Sequence, residues 1–194
     1  MTPPAEHVHW MFATGFLLLG LLLLARAVVG EEVWRRRAWR AYLWPSLLFG
    51  LGVLMWPVMV FFTNSTIHLV AHGMWAQTMM VGGAAELGLL RGKLHNRAWH
   101  LAVPLALAVS GASLLIHEQN GWLFARAAFL HHIMGWTALV GAIFPLVAIV
   151  RPRSRVWDSG LALTLVVLAV FLYADRDVAP IFGHLSPLAG EPHR

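Results

Sequence analysis

Residues 8–40 read VHWMFATGFLLLGLLLLARAVVGEEVWRRRAWR, and this stretch decides the fold class. The apolar run from Val8 to Val29 is close to the roughly 20 residues a helix needs to cross a hydrocarbon layer. It is too long for the core of an export signal. The preceding MTPPAEHVH is acidic and histidine-bearing, without the basic start such signals carry. Glu31 to Arg40 then place charge where a crossing has to stop. The stretch therefore reads as a retained first transmembrane helix followed by a basic connection.

The same alternation continues along the chain. Apolar runs cover about 41–62, 66–90, 99–116, 122–150 and 157–173, and brief polar connections such as TNST, RGKLHNR and HEQNG separate them. The sequence predicts an all-α integral membrane bundle of about six transmembrane helices, with residues 1–194 forming one domain. Only the proline- and glycine-bearing tail after Asp175 reads as irregular. Composition agrees: 59% of residues are hydrophobic and 12% are charged, about half the charge of an ordinary soluble domain.

Charge placement predicts the orientation. Arg26, Arg35, Arg36, Arg37 and Arg40 follow the first run, Arg91, Lys93 and Arg97 the third, and Arg151, Arg153 and Arg155 the fifth. Six alternating helices put all of these on one side. The excess of basic residues in cytoplasmic loops makes that side cytoplasmic and both termini non-cytoplasmic. The net charge of +5 is thus a membrane-orientation signal. A nucleic-acid partner is excluded, because the basic residues sit between apolar runs and form no basic face on a soluble module.

Cysteine is absent, which excludes disulfides, thiolate-ligated metals and cysteine nucleophiles within the chain. Metal chemistry would have to use His, Met, Asp or Glu. No catalytic triad, phosphate loop or carboxylate pair is present, so the chain does not read as an enzyme by itself.

The histidines carry the functional signal. Under the six-helix topology His7, His9, His68, His72, His117, His131, His132, His184 and His193 share the non-cytoplasmic side, and only His95 and His100 lie opposite. His68 and His72 are four apart and stack on one helix face. Met79 and Glu86 continue that face, and Ser110, Ser113 and His117 make a second polar stripe. His131 and His132 are about 100° apart, so one faces the cluster and the other a neighbouring helix. The exposed ends of the chain account for His7, His9, His184 and His193 as solvated residues.

Polar groups inside a membrane are costly and tend to mark functional sites, and neutral imidazole is the commonest metal ligand. The candidate metal ligands are His68, His72, His117, His131 and His132, with Met74 and Met134 as softer donors. Imidazole with thioether, without thiolate, favours copper. The alternative is a haem b electron-transfer subunit, of a kind that would suit a quinone-reactive cytochrome, with the haem held by His72 and His131 or His132. In that case Gly73 and Gly135 would admit a porphyrin, and Arg126 would meet a propionate instead of snorkelling to the surface. A third reading is a metal-free structural subunit of a membrane complex.

The stretch His68-Leu-Val-Ala-His72-Gly-Met74, then His117, then LHHIMGWTALVGAIFPL from Leu130 resembles, in order and spacing, the CtaG-like membrane proteins. That family is associated with assembly of bacterial cytochrome c oxidase and with copper delivery. The resemblance covers about residues 66–148. It implies a copper-handling role at the periplasmic or extracellular face of a bacterial inner or plasma membrane, with a respiratory oxidase as partner and the lipid bilayer as surroundings.

Overall fold

A computed structural model describes residues 5–62, 66–116, 125–151 and 154–175, without the side chains of residues 5–6, 59–62, 66–68 and 125–127. The described residues form seven α-helices and one 3-10 helix, and no strand occurs among them. The α-helices are α1 (Ala5–Val29), α2 (Glu31–Arg35), α3 (Ala38–Phe62), α4 (Thr66–Leu90), α5 (Ala102–Ile116), α6 (Ala125–Val150) and α7 (Arg155–Ala174), and a 3-10 turn at Arg97–Leu101 leads into α5. Each long helix lies on an apolar run of the sequence. α7 begins at Arg155 rather than Trp157, and α3 at Ala38 rather than 41.

Among the described residues, five helical stretches are long and apolar enough to cross a membrane: His7–Val29, Ala38–Val58, Arg97–Ile116, Ala128–Val150 and Arg155–Ala174. α4 matches α1 and α3 in length, but His72, Gln77 and Glu86 interrupt its apolar sequence. It is the most polar of the long helices for that reason.

The short α2 follows a break at Gly30, whose φ of 89° lies in the region that favours glycine. Glu31 braces the turn, because Arg26 Nε and Arg35 Nε donate to its two carboxylate oxygens. The Trp34 indole N–H reaches the carbonyl of Arg40 at 3.2 Å, tying α2 to the start of α3.

The six long helices close a ring. α1 packs on α3, α3 on α4, α4 on α5, α5 on α6, α6 on α7, and α7 returns to α1. Neighbours run antiparallel. Along α1 and α7, His9 meets Asp175, Thr14 Oγ1 meets the Tyr173 hydroxyl at 2.7 Å, and Gly20 faces Ala162. Along α4 and α5, Trp75 donates to Ser113 and Thr78 meets Ser110 at 3.2 Å. Small residues let the backbones approach, as is usual where lipid surrounds a bundle. A Cβ added to Gly111 of α5 would lie 2.7 Å from the carbonyl oxygen of Gly135 on α6.

The core fills the ring. Leu19 and Leu23 of α1, Trp44 of α3, Leu130 and Met134 of α6, and Leu165 and Leu168 of α7 form its larger cluster. Phe12, Leu51, Met55, Ala76 and Met79 form a second cluster between α1, α3 and α4. Large apolar side chains such as Leu18, Val53, Leu105, Val140 and Val170 are exposed on the outside, as a surface solvated by lipid requires.

Candidate functional site

Antiparallel packing gives the ring two chemically different ends. One end carries the C-termini of α1, α4 and α6 and the starts of α3, α5 and α7. Arg26, Arg35, Arg36, Arg37, Arg40, Arg91, Lys93, Arg97, Arg151 and Arg155 belong to it. The other carries the start of α1, where His9 sits, the first turns of α4 and α6 with His72, His131 and His132, and Asp175 just beyond α7.

At this second end three side chains from α1, α6 and the end of α7 converge. His9 Nδ1 donates to the Asp175 carbonyl at 3.2 Å and lies 3.6 Å from Oδ2 of the same residue. His131 Nε2 lies 3.5 Å from that Oδ2. The Asp175 side chain is buried, His131 is nearly so, and His9 is a quarter exposed. The separations are too long for tight hydrogen bonds. They suit an electrostatic clasp in which one carboxylate oxygen faces two imidazoles.

The neighbouring His132 has a different role in the fold. It is exposed on the outside of α6, and its Nδ1 donates to the Ala128 carbonyl at 2.8 Å. In the neutral ring that bond leaves Nε2 as the acceptor. The side chain borders an apolar groove of about 570 Å³ between α6 and α7, lined also by Phe129, Trp136, Phe144 and Leu163. The adjacent histidines thus point in different directions, as the step of about 100° between them requires, with His131 buried and His132 exposed.

His72 is half-buried on α4, with its ring edge-on to Trp75 at 4.8 Å between centroids. Trp75 is in turn anchored to Ser113, so the serine stripe of α5 does face α4. α5 stands between α4 and α6, and His72 and His131 therefore belong to helices that are not ring neighbours. Met74 is exposed at 37%, whereas Met134 is enclosed in the core at 2%. The described residues thus do not gather the two thioethers at one point. Gly135, expected to admit a porphyrin, is covered by Gly111 of α5.

His117, together with the side chains of His68 and Arg126, lies outside the described residues. Among the described residues, no group of three or more His, Asp or Glu has an arrangement that could hold a metal ion. A complete ligand set built on His72 would need His68 and His117.

Two participants departed from the sequence expectation. His9 is not simply a solvated terminal residue, and Asp175 is more than the start of a tail. A carboxylate just past an apolar run was the available signal for Asp175, but its partners depend on how distant helices pack. The chain matches no family model, and no curated protein or solved structure matches it.

Proposed function

We propose that this chain is a six-span membrane protein that handles copper at its imidazole-bearing end, with both termini on the non-cytoplasmic side. The observation that carries the reading is the segregation of the bundle: imidazoles of α1, α4 and α6 at one end, where Arg126 also starts α6, and most of the arginines at the other, beside His95 and His100. Basic residues favour the cytoplasmic side, which leaves the imidazole end facing outward. α4 serves as the sixth span, with Trp75 and Thr78 bonded to the serines of α5, His72 and Glu86 half-buried and Gln77 exposed.

The ligands in this reading are His68 and His72 of α4 together with His117. Helix register supports the set. Trp75 pairs with Ser113 and Thr78 with Ser110, and continuing that register brings residue 72 level with Ile116, the last residue of α5 and the neighbour of His117 in sequence. The likeness of residues 66–148 to CtaG-like proteins points the same way. Bound copper would supply a soft Lewis-acidic centre that can be passed on. The chain's part is to present neutral imidazoles at a shallow, accessible depth and to keep them oriented, as Trp75 does for the His72 ring. A respiratory oxidase is the partner this reading implies. His131, held against Asp175, serves the fold rather than the ligand set.

Haem b remains the second reading because of one observation. His132 has Nδ1 tied to a backbone carbonyl and borders an apolar groove, and such a second hydrogen bond is what orients an imidazole for iron.

The test is the copper content of the purified full-length chain beside that of His68→Ala/His72→Ala. Near-stoichiometric copper in the parent and loss of most of it in the variant is expected. Equal copper in both proteins contradicts the site.

A further inference from the structure

The arginine end holds more than an orientation signal. α2 and the first turn of α3 form a basic shelf. Glu31 takes up Arg26 and Arg35, bracing the turn. Arg36 and Arg37 are exposed and make no ion pair among the described residues. The Arg40 guanidinium stands 5.6 Å from the centroid of the Trp34 ring and 5.8 Å from that of Trp39, a cation held by two indoles. Trp34 is buried, but Trp39 is 57% exposed at the start of an apolar span, the level at which indoles anchor to a membrane interface.

These guanidinium groups lie within a few residues of two membrane-crossing segments, one ending at Val29 and the other starting at Ala38. That puts them at headgroup depth. Arginine pairs with phosphate oxygens bidentately, and the anionic leaflet attracts juxtamembrane basic residues. The nearby acids are few: Glu31 is consumed by its two arginines, and Glu32 shares the shelf as an exposed carboxylate. We propose that the shelf formed by Arg36, Arg37 and Arg40 with Trp39 binds the phosphate of an anionic phospholipid in the adjoining leaflet. Arg36 and Arg37 supply the charge. Arg40, fixed over the indoles, supplies direction, and Trp39 packs against the upper acyl chain. This site is independent of any metal at the opposite end.

The experiment is lipid retention by the full-length protein in phosphatidylcholine discs with and without phosphatidylglycerol, read by native mass spectrometry. The parent is expected to retain phosphatidylglycerol over phosphatidylcholine at low ionic strength, and the preference should fade as salt rises. R36Q/R37Q, checked for unchanged helical content, should weaken that preference roughly tenfold or more. R36K/R37K should keep the larger part of it. Equal retention of both lipids by the parent overturns the proposal, as does an undiminished preference in R36Q/R37Q. Inorganic phosphate that displaces phosphatidylglycerol as effectively as added anionic lipid would assign the shelf to a free anion, and this too overturns it.

Discussion

Asp175 shows how much one residue at the end of a helix can hold. Its buried carboxylate faces His9 and His131, and its carbonyl accepts from His9. Asp175→Ala removes the carboxyl group that both imidazoles face, and the expected loss of stability is about 1–3 kcal/mol, read from thermal unfolding in detergent. Asp175→Asn keeps the shape and should cost less. Equal stability of the parent and the alanine variant would show that the clasp contributes nothing. A carboxylate just past an apolar run marked Asp175, but its partners were not legible in the sequence, because 166 residues separate it from His9. That His131 and His132 point in different directions was legible, since it follows from helix geometry alone, but the outward exposure of His132 was not.

At the scale of elements, the helix contacts rest on small residues and the connections on charge. Gly111→Val should force α5 away from α6 and cost roughly 1–3 kcal/mol, because any Cβ there meets the Gly135 carbonyl. An unchanged unfolding temperature would mean the crossing is looser than it stands. At the turn into α2, burial pushes the Glu31 carboxyl up. The hydrogen bonds and charges of Arg35 and Arg26 outweigh that and hold it below its ordinary value of 4.5. The folded protein therefore binds fewer protons here than the unfolded chain. The stabilisation is complete above about pH 4.5 and is lost as pH falls through the lower folded value. Comparing Glu31→Gln with the parent across pH should show a stability gap at pH 7 that closes in acid, and a gap independent of pH contradicts this. The long helices were legible to within a few residues, since lipid demands long apolar runs. α2 was not, because five residues are too few to display a period, and its ends are set by Gly30 and the Glu31 bridges.

The whole molecule is a ring of antiparallel helices whose two ends differ in chemistry, and its expected orientation follows from that difference. The absence of cysteine allows a direct check. Single cysteines placed at Arg36 and at His7 should react with a membrane-impermeant maleimide from opposite sides of sealed cells or vesicles. Labelling of both from one side would break the six-span topology. The function placed on this frame depends on what the imidazole end holds, and the most direct measurement is an absorption spectrum of the detergent-purified chain with metal analysis on the same sample. The copper reading expects near-stoichiometric copper and no Soret band, whereas a sharp Soret band with reduced-state α and β bands, or a sample without copper, would contradict it.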